Sequence, residues 1–224
     1  DVFDRYAMTF IPKKFKKLYR IINFIEEFFS KHSDVLIVAN GQNALSTFQK
    51  RPSRSEIILN YPNDFGTGGS HSARKNEIFT IAFTGHIRRH RGLETLASVM
   101  RDLKDIQLVI TGRNEDNVLL NDIKNIQNVR YLGILDDSAL LEIERSANVM
   151  FAFYDPVFFQ NNMPLPNKIF EAMMCSTPIV TNIAKEIVNE SDCGIVVDYN
   201  NMEQIKEALV TLRDDPHLCR RLEI

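Results

Sequence analysis

The chain has 224 residues, of which 44% are hydrophobic and 25% are charged, so it is large and apolar enough to bury a core. Its 27 Lys and Arg residues against 29 Asp and Glu residues give a net charge of −2, which removes the usual electrostatic case for nucleic-acid binding. The three cysteines lack C-x-x-C spacing, so neither a disulfide framework nor a zinc site is predicted, and a reducing cytoplasm is the expected location.

The first 65 residues predict one amphipathic helix and two short strands. Between residues 12 and 30 apolar side chains recur at steps of three and four, which is the helical period. Segments 34–40 and 56–62 are brief, β-branched and bounded by Asn, Gly or Pro, as buried strands are. Five basic residues crowd one end of the helix: Lys13, Lys14, Lys16, Lys17 and Arg20. This pattern suits either a helix on an anionic membrane surface or an apolar stripe packed inside the domain with solvated lysines.

A glycine-rich stretch at 66–77 predicts a linker, and an alternation of strands and helices follows it. The predicted strands are 78–85, 106–112, 129–133, 149–153, 178–181 and 194–198. The predicted helices are 92–104, 115–124, 136–146, 167–175, 183–190 and 201–213. Near-continuous apolar strands between amphipathic helices predict an α/β fold with a doubly wound parallel sheet, whose ligands bind at the carboxyl ends of the strands.

Two loops at such ends carry candidate chemistry. Gly85 is followed by His86, Arg88, Arg89 and Arg91 before a helix begins, so glycine, arginines and a helix N-terminus could cradle a diphosphate. The alternative is a solvated loop.

The second loop leads into PNKIFEAMMC, residues 166–175. Asn167 is predicted to cap this helix, Lys168 could contact a phosphate, and Glu171 could accept hydrogen bonds from a pair of sugar hydroxyls. The alternative is that Asn167 only caps the helix and Glu171 is only a first-turn acid stabilised by the helix dipole.

Several familiar motifs are absent from the sequence. It contains no G-x-x-x-x-G-K-[ST], and its Gly66, Gly68 and Gly69 cluster does not join a strand to a helix as a dinucleotide-binding motif does. It also contains no D-x-D pair, and its five scattered histidines are more typical of surface or loop residues than of zinc ligands, so no metal site is predicted.

The two loops, in this order, resemble the donor half of the GT-B glycosyltransferases, in particular the large retaining family 4. The matching stretches are TIAFTGHIRRHRGLETL (80–96), LVITGR (108–113), NVRYLGILDDSALLEIERSANVMF (128–151), PNKIFEAMMCSTPIV (166–180) and CGIVVD (193–198). Residues 1–65 resemble the closing part of the acceptor-side domain, whose earlier strands are missing, so the sequence is expected to begin inside that domain. The resemblance therefore implies an incomplete Rossmann-like domain at 1–65, a linker at 66–77 and a donor-binding domain at 78–224.

The resemblance also implies roles for individual residues. Arg91 and Lys168 would stabilise the departing diphosphate and are the expected catalytic residues. Glu171 would hold the ribose hydroxyls, and Leu135 would pack near the base. The full expected substrate-binding set is Gly85, His86, Arg88, Arg89, Arg113, Leu135, Asn167 and Glu171.

Two positions depart from the family pattern. Met163 stands where the family has a glutamate that contacts the donor sugar, and Asn161 or Asn162 could substitute for it. His86 stands where an arginine commonly follows the loop glycine, and Arg88 or Arg89 could replace that charge.

The implied function is transfer of a sugar from a nucleotide-sugar donor to a glycan or lipid-linked acceptor, with retention of configuration and without a metal or other cofactor. No enzymic base is then required, because the leaving phosphate accepts the proton. The resemblance implies a cytoplasmic enzyme of polysaccharide assembly, peripheral to the inner face of the membrane if helix 12–30 binds lipid. Two alternatives stay open, a non-catalytic nucleotide-sugar-binding module and a GT-B-related nucleotide-sugar epimerase.

Overall fold

The computed structural model describes residues 11, 14–38, 48–49, 51–58, 62, 74–158 and 167–223, which fall into two compact units. Described residues up to 58 belong to the first unit, and residues 62, 74–158 and 167–223 belong to the second. Most of the predicted linker at 66–77 lies outside the described residues, so the predicted domain boundaries stay predictions.

The first unit contains helix α1 (Lys16–His32) and two strands, β1 (Leu36–Val38) and β2 (Ser55–Ile57). The strands pair in parallel with Leu36 opposite Ser55, and their core consists of Leu36, Val38 and Phe48. The predicted helix 12–30 is displaced: residue 12 lies outside the described residues, but residues 14 and 15 precede the helix, which runs from Lys16 to two residues beyond the predicted end. The helix buries polar residues, Glu27 and Ser30, while its large apolar side chains are exposed.

The second unit contains six strands and seven helices among its described residues. In chain order they are β3 (Thr80–Thr84), α2 (Leu93–Asp102), β4 (Gln107–Thr111), α3 (Asn117–Lys124), β5 (Val129–Tyr131), α4 (Asp137–Ser146), β6 (Val149–Ala152), α5 (Asn167–Met174), β7 (Ile179–Thr181), α6 (Lys185–Glu190), β8 (Gly194–Val196), α7 (Met202–Asp214) and α8 (Pro216–Arg221). Every strand and helix predicted between 78 and 213 is present, with ends that differ by at most two residues.

The six strands form one parallel sheet in the order β5-β4-β3-β6-β7-β8. Strand β3 lies in the middle and all five of its residues are buried, because both faces of the sheet are covered. The chain builds outward from β3 to β5 and then returns to place β6 on the other side of β3. The strand order therefore reverses between β3 and β6, which is where open α/β sheets bind ligands. The predicted doubly wound α/β fold is confirmed.

Short side-chain caps fix several helix starts in this unit. Asp116, Asp136 and Asn201 each accept a hydrogen bond from a backbone amide in the first turn of α3, α4 and α7. Helix α8 was not predicted from the sequence. Its signal is nevertheless present, since Asp215 accepts from the amides of His217 and Leu218 and Pro216 occupies the first turn.

Candidate functional site

The loop after β3 is held against the loop after β4. The Gly85 amide donates to the Thr111 carbonyl at 3.0 Å, and the Ile87 amide donates to the Arg113 carbonyl at 2.9 Å. Gly112 has a φ of +132°, and a Cβ placed on it would stand 1.9 Å from the Gly85 carbonyl oxygen. Only glycine permits so close an approach of the two backbones, so the position of both loops depends on it.

Residues 85–92, which we call the basic loop, carry cations that are mostly paired. His86 Nδ1 lies 2.6 Å from Glu115, and Arg88 lies 3.8 Å from the same carboxylate. Arg89 contacts Asp116 at 3.1 Å. The pKa of Glu115 is lowered, mainly by its hydrogen bond with His86. The pKa of Asp116 is also lowered, more by the hydrogen bond from the Leu119 amide than by Arg89. These acids largely neutralise the first three basic side chains of the loop.

Arg91 differs from the other cations of the basic loop. Its guanidinium carbon lies 4.2 Å from the centre of the Tyr154 ring, and its Nη2 lies 3.8 Å from where a Cβ on Gly85 would stand. Its Nε is buried and has no hydrogen-bond partner among the described residues. Within the described ranges, no carboxylate lies within 4.0 Å of Arg91. A stacked, unneutralised guanidinium beside a glycine is an arrangement suited to a phosphate.

Glu144, Lys168 and Glu171, which we call the buried cluster, meet at the same end of β3. The Lys168 ammonium donates to Glu144 Oε1 at 3.1 Å and also to Glu171 Oε2. The Thr84 hydroxyl, at the last position of β3, donates to the same Glu144 oxygen at 2.6 Å. Glu144 is only 2% exposed, whereas the side chains of Lys168 and Glu171 are 17% and 18% exposed. Lys168 therefore joins an interior carboxylate to one nearer the surface.

The ionisation of the buried cluster follows from burial and from its three charges. Burial lowers the pKa of Lys168, but the carboxylates of Glu144 and Glu171 outweigh it and raise this pKa above its ordinary value of 10.5. Burial, together with Glu144, raises the pKa of Glu171 above 4.5, although Lys168 acts in the opposite direction. Burial and then Glu144 raise the pKa of the Cys175 thiol to about 12, so this cysteine stays protonated.

The remaining predicted residues lie at the same edge of the sheet or in its loops. Arg113 is exposed just after β4, and Leu135 is half-buried between β5 and α4. Asn167 is exposed and is the first residue of α5, one position further into the helix than the predicted cap. Asn161, Asn162 and Met163 lie outside the described residues.

Sequence reasoning missed three parts of this site. It did not identify Tyr154 beneath Arg91, the acids Glu115 and Asp116 opposite the basic loop, or Glu144. The burial of Glu144 was predictable from the helical spacing, because Glu144 lies three residues after Leu141 and three before Ala147, and both of these are buried. A carboxylate on the buried stripe of a helix predicts a buried partner of opposite charge.

The described ranges contain neither a cluster of metal ligands nor a helix suited to crossing a membrane. No group of three or more His, Cys, Asp or Glu side chains is placed there as metal ligands would be. No helix in these ranges combines the length and apolar character needed to cross a bilayer.

The fold is that of the GT-B glycosyltransferases. TarM of S. aureus, solved as a mutant with fondaparinux, alpha-GlcNAc-glycerol and UDP, superposes with a TM-score of 0.69 at 13% identity, over 96% of this chain and 43% of TarM. HepE of Anabaena, solved with UDP-glucose, superposes with a TM-score of 0.66 at 14% identity, over 95% of this chain and 62% of HepE. At these identities the likeness shows the fold, and it confirms the predicted GT-B architecture.

The chain belongs to the glycosyl transferases group 1 family, whose model matches residues 78–215, more than half of the chain. It is also 27% identical over 142 residues to a phosphatidyl-myo-inositol mannosyltransferase of Mycobacterium leprae. That alignment covers 59% of this chain and 37% of the relative, so the chain spans little more than a third of the relative's length. The family resemblance read from the sequence is confirmed.

Proposed function

We propose that the second unit binds the nucleoside diphosphate of a sugar donor at the carboxyl ends of β3 and β6, and that the protein carrying it is a glycosyltransferase. The observation that carries this proposal is Arg91, a cation with no carboxylate partner among the described residues, stacked on Tyr154 and lying beside Gly85. The reversal of strand order between β3 and β6 supports the same location.

In this proposal Arg91 binds the diphosphate and stabilises the charge that develops as the nucleotide leaves. Gly85 would permit close approach of the phosphates, and the amides of the first turn of α5 are proposed to bind the same anion. His86, Arg88, Arg89 and Arg113 contribute positive potential around it, reduced by the acids that face the loop.

Glu171 is proposed to accept hydrogen bonds from the ribose hydroxyls, with Asn167 beside it and Leu135 near the base. Because two carboxylates hold the Lys168 ammonium, we propose that Lys168 positions Glu171 and acts on the diphosphate through the local field rather than by direct contact. The predicted direct phosphate contact of Lys168 stays a prediction.

The proposed reaction is metal-independent transfer with retention of configuration. Departure of the nucleoside diphosphate leaves charge on its phosphates, which Arg91 and the helix amides can stabilise without a divalent ion. The departing phosphate accepts the proton of the attacking hydroxyl, so the bond to the acceptor oxygen forms as the bond to the phosphate breaks. Anomeric analysis of the product by NMR tests retention, and activity in excess chelator tests metal independence.

The proposed donor is a nucleoside diphosphate sugar such as a UDP-sugar, and the proposed acceptor is a glycan or a lipid-linked glycan in polysaccharide assembly. UDP or UDP-glucose is present in the two structural neighbours described above, and the mannosyltransferase named above is a phosphatidyl-myo-inositol enzyme.

We also propose that α1 binds the surface of an anionic membrane from the cytoplasmic side. Its exposed apolar side chains include Phe24 and Phe29, which are 64% and 67% exposed, and Lys16, Lys17 and Arg20 lie on its first turns. Co-sedimentation with phosphatidylglycerol-containing vesicles should exceed that with pure phosphatidylcholine, and Lys16→Glu with Lys17→Glu should remove the excess. The control is Lys104→Glu, an exposed lysine of the second unit. Equal sedimentation with both vesicle types would contradict this part of the proposal.

Calorimetric titration tests the donor site directly. UDP, GDP and ADP, and their sugars, are titrated in metal-free buffer into the chain and, where the natural protein is longer, into that protein. We expect selective binding of one nucleotide, weakened at least tenfold by Glu171→Ala and unchanged by Glu142→Ala, an exposed carboxylate of α4. Absence of binding by the folded whole protein would overturn the proposal.

A further inference from the structure

Glu144 is a buried carboxylate that the proposed chemistry does not itself use. It lies on α4, an element distinct from the basic loop and from α5, which carries Lys168 and Glu171. Three side chains converge on it: Thr84 of β3 at 2.6 Å, Lys168 of α5 at 3.1 Å, and Cys175, the residue after α5, at 3.8 Å. Its own backbone carbonyl accepts from the Thr177 hydroxyl at 2.8 Å. The carboxylate therefore ties the end of β3, α4 and α5 together.

The position of Lys168 follows from this carboxylate. A carboxyl group that is 2% exposed needs partners inside the protein, and the Lys168 ammonium lies 3.1 Å from it. The ammonium is thereby kept inside, where it reaches Glu171 with its remaining hydrogens. One lysine shared by two carboxylates leaves the group with one net negative charge, and Glu171 is the carboxylate nearer the surface.

We propose that Glu144 is a positioning residue, which holds Lys168 in the interior and so leaves Glu171 placed to accept hydrogen bonds from a vicinal diol. This inference rests on the proposed function, because the diol is the ribose of the nucleoside diphosphate. Without Glu144, Lys168 pairs with Glu171 alone, and a carboxylate satisfied by its own lysine is a weaker acceptor for a ligand.

The test compares one nucleotide with and without the hydroxyls. UDP or GDP, whichever binds, and its 2′,3′-dideoxy form are titrated into the wild type and Glu144→Gln. We expect the ratio of the two affinities to fall about tenfold in Glu144→Gln, with the dideoxy nucleotide bound as tightly as before. A residue with only a structural role would weaken both ligands equally and leave the ratio unchanged, and that result would overturn the proposal.

A double variant tests why the affinity ratio falls in Glu144→Gln. In Glu144→Gln with Lys168→Gln the net charge of the buried cluster returns to its wild-type value, and Glu171 no longer has a lysine to pair with. We therefore expect the affinity ratio to recover in the double variant. A ratio that stays low would overturn the proposal. Glu142→Gln, on the same helix but exposed, is the matched control for loss of one carboxylate from α4.

Two further variants separate a failure of this inference from a failure of the proposed function. If Glu144→Gln does not fold, Glu144→Asp replaces it, because aspartate keeps the carboxylate but is shorter by one methylene. Glu144→Asp should also lower the ratio of nucleotide affinity to dideoxynucleotide affinity. A wild-type ratio in that variant overturns the proposal. If Glu171→Gln leaves the wild-type ratio unchanged, Glu171 does not bind the hydroxyls, and the proposed function fails at that residue together with this inference. A ratio that falls in Glu171→Gln but not in Glu144→Gln overturns the role of Glu144 alone.

Discussion

The basic loop and the buried cluster both gather charge at the carboxyl end of β3, but they differ in which charge remains available. In the basic loop, acids from the next strand-to-helix connection pair with His86, Arg88 and Arg89. Arg91 stacks on an aromatic ring instead and keeps its charge. In the buried cluster two carboxylates surround one lysine, so the excess charge is negative.

Because of this difference, the two regions suit two different chemical groups of one ligand. A positive position beside Gly85 suits a phosphate, and a negative position on α5 suits hydroxyl donors. A nucleoside diphosphate carries both groups, and strand β3 connects the two positions through Thr84 and Gly85. The arrangement also shows that the number of cations in a loop is a poor measure of its capacity to bind an anion, because partners decide which cations are available.

The largest expected effect comes from removing the cation of the buried cluster. Lys168→Met leaves Glu144 buried beside a second carboxylate, and breaking a buried ion pair in this way costs about 3–5 kcal/mol of unfolding free energy. Urea unfolding measures this loss. Glu144→Leu with Lys168→Met removes both charges and should recover most of the stability. If Lys168→Met alone unfolds at the same urea concentration as the wild type, Lys168 does not stabilise the buried Glu144 carboxylate. The basic loop and the buried cluster would then not differ in the charge that remains available.

The next effect is on ligand affinity in the basic loop. Arg91→Ala removes the unneutralised guanidinium, and loss of a charge-assisted contact should weaken nucleoside diphosphate binding about 30- to 100-fold. Arg89→Ala is the matched control, because Arg89 is exposed and already paired with Asp116, and it should weaken binding less than about fivefold. Calorimetry on both variants measures the contrast. Equal losses would show that the loop acts through its total charge, which would remove the distinction drawn for Arg91.

Much of the fold was predictable from local pattern, since a strand such as β3 is apolar along its whole length and its neighbours alternate with amphipathic helices. The glycine at the end of β3 and the run of basic residues were predictable for the same reason. Which cations are paired was not predictable, because Glu115 and Asp116 come 29 and 27 residues after their partners His86 and Arg89. Only the pairing of β3 with β4 brings them together. Glu144 is likewise 24 residues from Lys168.

The smallest expected effect is a pH dependence that reports on the buried cluster. The pKa of Glu171 is raised above its ordinary value of 4.5, mainly by burial and further by Glu144. Between 4.5 and the raised value, the folded chain binds more protons than the unfolded chain, so this group lowers stability as the pH rises through that window. The stabilisation is fully present below pH 4.5 and absent above the raised pKa.

Glu171→Gln cannot lose a proton and should therefore lack this decline. Its free energy of unfolding, relative to wild type, should rise as the pH increases from 4.5 towards neutrality, with Glu142→Gln as the control for loss of one carboxylate. Chemical unfolding at a series of pH values measures the difference. A constant difference between wild type and Glu171→Gln across this range would mean that Glu171 ionises as freely in the folded chain as in the unfolded one. Lys168 would then offset in full the effect of burial and of Glu144 on the pKa of Glu171.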